Sequence, residues 1–214
     1  MGTPPRVMNR TGGRVSARAG TRTVSTTPRR PAWANVYKAY VTIDNAGKSE
    51  STDIEKTAAK YKLIGGPAEK EFNRDPKLYV NACALRLSYA LNHGGMPIKD
   101  NKQPSGGTRL TGADGNIYYT GIYTVRDFLA LNWGKADKPY TLKVMSTKQQ
   151  NSDLYDELTK FKKKGVVYMK VTGWRDAAGH VTLWTGSDFA DGSDYLRDTR
   201  DFVIVTEFQF WELK

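Results

Sequence analysis

Apolar residues recur three and four positions apart through the first two thirds of the chain, which is the spacing of helices that bury one face. The predicted buried faces are Trp33, Val36, Tyr37 and Tyr40; Ile54, Ala58 and Tyr61; Val125, Phe128, Leu129 and Asn132; and Leu154, Tyr155, Leu158 and Phe161. A capping box of Thr52 with Glu55 starts the second of these helices, and Ser152 is the predicted N-cap of the last. Residues 68–79 are polar, and Pro76 marks a turn into the next helix.

Apolar and polar residues alternate in the last third of the chain, which is the pattern of half-buried strands. Four strands are predicted there, at residues 166–172, 180–184, 202–206 and 208–213, in addition to a short one at 117–119. Helices followed by a run of antiparallel strands are typical of an α+β fold rather than of alternating α/β units.

A further amphipathic helix, within residues 79–95, carries the only cysteine of the chain. Asn81 is its predicted N-cap, and residues 92–95 supply a left-handed exit. Its apolar face is formed by Cys83, Leu87, Ala90 and Leu91. Cys83 therefore falls in the first turn, where unpaired amides and the helix dipole favour a thiolate. The alternative is a small buried hydrophobic residue, as most free cysteines are.

Only two histidines are present to act as a base for this cysteine. His93 lies about 15 Å along the helix axis from Cys83, too far for a hydrogen bond, and is predicted to cap the helix C-terminus. His180 begins a predicted strand directly after Gly179, and alternation places it on one face with Thr182 and Trp184. A histidine at such a strand start is well placed to face a cleft.

The composition excludes several classes of protein. Of 214 residues, 39% are hydrophobic, which is the content of a globular chain with a buried core. A single cysteine excludes an intrachain disulfide and a cysteine-rich zinc site, and no glycine-rich phosphate-binding motif occurs. No apolar run is long enough to predict a membrane span, and no apolar segment near the start predicts a Sec signal peptide. No metal or cofactor is predicted.

The first thirty residues differ sharply from the rest, since they contain seven arginines, no lysine and no acidic residue. Without them the formal net charge falls from +11 to +4, because 26 basic residues then stand against 22 acidic ones. This composition predicts a disordered leader, residues 1–30, before a single domain, residues 31–214. A basic arm could bind nucleic acid or an anionic wall polymer, or dock a delivery partner; the interpretation favoured here is a disordered leader alone.

Two blocks of sequence together carry a resemblance to a known family. They read Asn81-Ala-Cys-Ala-Leu-Arg-Leu-Ser-Tyr-Ala-Leu-Asn92 and Gly173-Trp-Arg-Asp-Ala-Ala-Gly-His-Val-Thr-Leu-Trp184. In this order and at this distance they resemble the fourth family of type VI secretion amidase effectors, which are papain-like cysteine amidases of the NlpC type. The similarity runs from about Pro31 to the C-terminus.

The resemblance implies a papain-like fold in which the helix that carries Cys83 packs on a C-terminal antiparallel sheet that carries His180. It implies an antibacterial peptidoglycan amidase that cleaves the bond between γ-D-glutamate and meso-diaminopimelate in cell-wall stem peptides. Cys83 and His180 would be catalytic, and the site that contacts substrate would include Trp174, Gly179 and Trp184.

The third catalytic residue is less closely defined. In the family the acid stands eleven residues past the histidine, which corresponds to Asp191 here. Asp191 would reach His180 if a hairpin folds back beside the histidine strand, and Asp188 and Asp194 remain alternatives. Asp176 precedes His180 in a tight loop and is predicted to cap that turn.

The resemblance also implies partners and a location. The partners would be stem peptides, tube or spike proteins of the type VI secretion system, and a cognate periplasmic immunity protein that plugs the cleft. The protein would be made in the bacterial cytoplasm without a signal peptide and secreted into the periplasm of target cells. Neither nucleic-acid binding nor membrane insertion is expected.

Two other functions fit the residues alone. One is a cysteine hydrolase or acyltransferase that acts on a protein substrate with the same pair of residues. The other is a basic binding module without catalysis, in which Cys83 and His180 are structural.

Overall fold

The structure, a computed structural model, describes residues 9–11, 14–19, 22–26 and 30–214. The first three segments are strands, β1 (Asn9–Thr11), β2 (Arg14–Ala19) and β3 (Arg22–Thr26), which pair in order as an antiparallel sheet. They fall within residues 1–30, the predicted disordered leader, which stays a prediction. The rest of the predicted leader before residue 30 lies outside the described residues.

Arg30, the last residue of the predicted leader, contacts the domain that follows it. Arg30 forms an ion pair with Asp137, donates to the backbone oxygen of Glu212 over 3.0 Å, and lies over the ring of Trp133. These contacts make Arg30 part of the folded domain.

Six helices follow Arg30: α1 (Trp33–Asn45), α2 (Asp53–Ile64), α3 (Gly66–Arg74), α4 (Cys83–His93), α5 (Ile122–Trp133) and α6 (Lys148–Phe161). The capping box at the start of α2 is confirmed, since the amide of Glu55 donates to Thr52 Oγ1 over 3.2 Å and the amide of Thr52 donates to the Glu55 carboxylate over 2.9 Å. Ile54 was predicted to face the core but is 41% exposed.

One helix was not predicted, and one predicted cap is wrong. The polar stretch at residues 68–79 contains most of α3, a short helix that buries only Ala68 and Phe72 and therefore offers few apolar residues to detect. The last helix is capped by Thr147 rather than by Ser152, because Thr147 forms a full capping box with Gln150. Ser152 lies inside α6.

Two sheets form within residues 30–214. A small one pairs β4 (Arg109–Thr111) with β5 (Ile117–Tyr119). The larger one has the antiparallel order β6-β9-β7-β8, from β6 (Lys143–Val144), β7 (Gly165–Thr172), β8 (Gly179–Trp184) and β9 (Ile204–Glu212). The sequence predicts two strands in the last part of the chain, but the structure has one, β9. This strand is continuous through Glu207, which pairs with both neighbouring strands.

Helices cover both faces of the larger sheet. Leu87 and Leu91 of α4 pack in one core cluster with Val181 and Leu183 of β8. A second core cluster is formed with α6 and includes Leu154, Leu158, Val167, Trp184 and Phe210. The predicted α+β arrangement, with the cysteine helix packed on a C-terminal antiparallel sheet, is confirmed. Among the residues that the structure describes, no helix has the length and apolar character needed to cross a membrane.

Candidate active site

Cys83 is the first residue of α4, and the residue that precedes the helix is Ala82. The prediction that Asn81 caps the helix is wrong, because its side chain is used elsewhere: Nδ2 donates to the backbone oxygen of Asp176 over 2.8 Å. That bond ties the start of α4 to the loop before β8. In the described structure no side chain caps the helix, so the first-turn amides stay available to an anion.

The opposite end of α4 lies away from this chemistry. His93 is the last residue of the helix, and its Nε2 lies 3.2 Å from the hydroxyl of Tyr118 and 3.4 Å from the carboxylate of Asp114. It contacts side chains rather than the last carbonyls predicted for it. The left-handed exit is made by Gly95, with φ 103°, while Gly94 has φ −90°.

His180 is the second residue of β8 and is 5% exposed. Its Nε2 lies 2.8 Å from Asp191 Oδ2, which leaves Nδ1 as the nitrogen available to Cys83. The ring packs edge-on against Tyr195, with ring centroids 5.0 Å apart. Burial lowers the pKa of His180, but the charge and hydrogen bond of Asp191, together with Cys83, outweigh it and raise the pKa to about 9.

Asp191 reaches His180 because the chain after β8 folds back on itself. Trp184 pairs with Phe189, and the amide of Ala190 donates to the backbone oxygen of Leu183 over 2.8 Å. Burial raises the pKa of the Asp191 carboxyl, but His180, Arg86 and Ser193 hold it well below its ordinary value. The carboxylate is therefore charged and oriented.

The two alternative acids point elsewhere. The carboxylate of Asp194 accepts from Arg197 Nε over 2.6 Å and from the backbone amide of Arg197 over 3.2 Å, which starts a short turn. Asp188 lies in the turn at Thr185, where its backbone oxygen accepts from the Thr185 hydroxyl. The geometry brings Asp191, and neither of these, to His180.

Opposing effects act on the Cys83 thiol. Burial raises its pKa, whereas the hydrogen bond and charge of His180, the charge of Arg86 and the backbone amide of Val181 lower it. The second group outweighs the first, so the pKa lies below the ordinary value for a thiol. A thiolate beside an imidazolium is the state that this arrangement favours.

The cysteine and histidine open into a cleft of about 520 Å³. One wall is α2, the floor is the start of α4, and the opposite wall is the loop before β8 with Tyr195 and Arg200. The charged lining residues are Asp53, Lys56, Lys60, Arg86, Asp176 and Arg200. Four cations thus stand against two carboxylates, which suits an anionic ligand.

The three predicted substrate contacts have different outcomes. Trp174 and Gly179 line the cleft. Trp184 does not reach it: the side chain is fully buried, with its ring edge-on against Tyr155 and Phe189. The prediction for Trp184 is wrong because this residue, four positions beyond His180 along β8, lies in the core cluster formed with α6.

A sequence model of the family described as "Type VI secretion system (T6SS), amidase effector protein 4" (Tae4) matches residues 79–211. The chain belongs to the Tae4 family. It is therefore an antibacterial peptidoglycan amidase of the type VI secretion system, as predicted. The two alternative functions, on a protein substrate or without catalysis, are set aside by this membership.

Solved Tae4 structures resemble the whole domain. The Tae4 of a Tae4–Tai4 effector–immunity complex from Enterobacter cloacae is 30% identical, with a TM-score of 0.64, and covers 87% of this chain and 100% of its own. The Tae4 of the corresponding complex from Salmonella Typhimurium is 26% identical, with a TM-score of 0.65, and covers 87% of this chain and 100% of its own. A Tae4 from Enterobacter cloacae gives 28%, 0.62, 88% and 100%. No curated protein matches the chain.

Three residues of this Tae4 site were missed by the sequence reasoning. Arg86 donates to Asp191 Oδ2 over 2.8 Å, Ser193 Oγ donates to Asp191 Oδ1 over 2.6 Å, and the hydroxyl of Tyr40 lies 3.4 Å from Asp191 Oδ2. The spacing of Arg86, three residues after Cys83, could have indicated it, because it places both on one helix face. Tyr40 was predicted only as a core residue, and its approach to Asp191 depends on the tertiary fold.

Proposed function

We propose that this chain is a cysteine DL-endopeptidase that cleaves the γ-D-glutamyl–meso-diaminopimelate bond, with Cys83 as nucleophile, His180 as acid and base, and Asp191 as the residue that orients His180. The observation that carries the proposal is the 2.8 Å hydrogen bond between His180 and Asp191 beside Cys83, at the floor of a cationic cleft that both Cys83 and His180 line. The D-glutamate residue suits that cleft, because its linkage through the γ-carboxyl leaves its α-carboxylate as a free anion. Lys56 and Arg200 supply cations on opposite walls.

The reaction runs in two steps. The Cys83 thiolate attacks the γ-carbonyl carbon of D-glutamate, and His180 gives its proton to the diaminopimelate nitrogen as the C–N bond breaks. A thioester on Cys83 remains. His180 then takes a proton from water, whose oxygen attacks the thioester and releases the γ-carboxylate and the thiolate.

The start of α4 is suited to the oxyanion that forms in each step. The backbone amide of Cys83 stands at the N-terminus of the helix, where in the described part of the chain no side chain caps the first turn. An amide held there donates to the developing negative charge without reorganisation. The bond from Asn81 to the backbone of Asp176 holds this helix start against the opposite wall of the cleft.

The relatives support a proposal for the partners. Tae4 proteins from Salmonella Typhimurium and Enterobacter cloacae have been solved with their immunity protein Tai4. The present chain would likewise bind a cognate periplasmic immunity protein, which would occlude the cleft beside Trp174. It would be made in the cytoplasm and reach the periplasm of target cells on tube or spike proteins of the secretion system.

The test of bond specificity uses a purified, soluble disaccharide tetrapeptide of the diaminopimelate type. Mass spectrometry should show two products, the disaccharide with L-alanyl-D-glutamate and the dipeptide diaminopimelyl-D-alanine. Cys83→Ala should release neither product. Cys83→Ser keeps the size of the side chain, and its rate of product release should be lower by several orders of magnitude. A product cut on the other side of diaminopimelate would show that the bond has been assigned wrongly.

A further inference from the structure

Arg86 joins the helix that carries Cys83 to two other parts of the fold. It lies one turn along α4 and has 15% of its side chain exposed. Its Nη2 donates to Asp191 Oδ2 over 2.8 Å, and its Nη1 donates to the carboxylate of Asp44 on α1. The guanidinium also lies over the ring of Tyr40, 5.7 Å from the centroid. A planar fork suits this role, because it can serve two carboxylates at once.

Asp191 Oδ2 is therefore shared between two cations, since Arg86 and His180 both contact it at 2.8 Å. The guanidinium offsets part of the negative charge that the imidazole experiences. Asp44, at the other end of the fork, offsets part of the charge of the guanidinium. The net charge around Cys83, His180 and Asp191 thus depends on the balance between Arg86 and Asp44.

The ionisable groups around Arg86 come from every element that packs on it. They are Tyr40 and Asp44 of α1, Lys60 of α2, Cys83 of α4, His180 of β8, and Asp191 and Tyr195 of the connection between β8 and β9. Burial lowers the pKa of Arg86, but Tyr40 and the two carboxylates raise it above its ordinary value, so the guanidinium stays charged. Lys60 is held at a backbone oxygen, Ala46 O, over 2.6 Å.

We propose that Arg86 is a positioning residue of the amidase and that its ion pair with Asp44 sets the charge balance at Cys83. Arg86 fixes the Asp191 carboxylate against His180, and Asp44 determines how much of the guanidinium charge stabilises the thiolate. This inference rests on the proposed roles of Cys83, His180 and Asp191. No part of it requires Arg86 or Asp44 to touch the substrate.

Opposite charge changes should move the thiol in opposite directions. Asp44→Asn leaves an oxygen that can still accept from Arg86 but removes the compensating charge, so the pKa of the Cys83 thiol should fall. Arg86→Met removes the cation, so the pKa should rise. At the separations within one buried cluster, each shift should be about one pH unit. A purely structural role would predict lower stability in both variants and no opposite displacement.

The experiment is the rate of Cys83 alkylation by iodoacetamide against pH, followed by intact mass in the full chain. Wild type, Asp44→Asn, Arg86→Met and Arg86→Lys are compared, with melting temperature as a check on folding. Arg86→Lys should keep an inflection near that of wild type, because the charge remains. It should lose about tenfold or more in kcat, because one ammonium replaces a two-armed contact and Asp191 is held less well.

Asp137→Asn is the matched control. It removes a half-buried carboxylate from a different arginine pair, Arg30 with Asp137, which lies at the end of β9. Its inflection should be that of wild type. The inference would be overturned if the alkylation inflections of Asp44→Asn and Arg86→Met moved in the same direction, or if neither moved from that of wild type. An ordinary thiol inflection in wild type would overturn the assignment of Cys83 and the inference with it, and so separates the two failures.

Discussion

Replacing Asp191 with asparagine separates the two effects of its carboxylate on His180. Asparagine can still accept a hydrogen bond from His180 Nε2 through its carbonyl oxygen, so the ring keeps its orientation. What is lost is the negative charge, which is the largest of the influences that raise the pKa of His180 to about 9. The alkaline limit of activity should then move to lower pH, because His180 must be protonated to donate to the leaving nitrogen.

The size of this displacement can be worked out. The ordinary pKa of a histidine is 6.5, so a full return from about 9 would be about 2.5 pH units, or about 3 kcal/mol. Burial and Cys83 act in opposite directions and both remain, so we expect a displacement of about two units. Activity should then fall about tenfold at pH 8, where His180 would be mostly neutral, and hardly at all at pH 6.

The assay is kcat/KM for a soluble muropeptide from pH 5 to 10, with Asp191→Ala and Asp194→Asn in parallel. Asp191→Ala should lose a further factor at every pH, because the ring also loses its orientation. Asp194→Asn should match wild type, since Asp194 pairs with Arg197 on the surface. An alkaline limit in Asp191→Asn that coincides with that of wild type would refute the reasoning.

Three further predictions concern the thiol, the N-terminal segment and the partner. Iodoacetamide labelling of Cys83 should show an inflection well below about 8.5, because His180 and Arg86 favour the thiolate, and an inflection at that value would indicate an ordinary cysteine. A chain that begins at Arg30 should keep its kcat on soluble muropeptides, and a tenfold fall in kcat without residues 1–29 would make them part of the site. In that chain, Arg30→Ala should lower the melting temperature by several degrees, because the ion pair with Asp137 is lost. The immunity protein should protect Cys83 from alkylation, and tight binding that leaves the cysteine freely alkylated would exclude occlusion of the cleft.

The catalytic elements were predictable because their signals are local. The cysteine helix has a clear apolar face, and the histidine strand alternates between buried faces, so both elements and their order could be read from the sequence. The return of the chain that brings Asp191 to His180 required family spacing in addition. Nothing in the periodicity distinguishes Asp191 from Asp188 or Asp194.

The errors arise where tertiary contacts override local preference. Asn81 has a good capping side chain, but its amide is used by the backbone of Asp176, 95 residues away. Alternation correctly grouped the side chains along β8, yet it does not reveal that α6 covers Trp184. The sequence motif includes Arg86 but does not indicate its role, because the two carboxylates that it contacts come from α1 and from the connection after β8.

The central claim, that Cys83 attacks the γ-carbonyl of D-glutamate, is tested most directly by the covalent intermediate. Wild type is mixed with disaccharide tetrapeptide, quenched in acid within milliseconds, digested with a protease and mapped by mass spectrometry. The account predicts a thioester on the peptide that contains Cys83, whose added mass is that of the disaccharide-L-alanyl-γ-D-glutamyl group. An added group that includes diaminopimelate, attachment at another residue, or normal turnover by Cys83→Ala would contradict it.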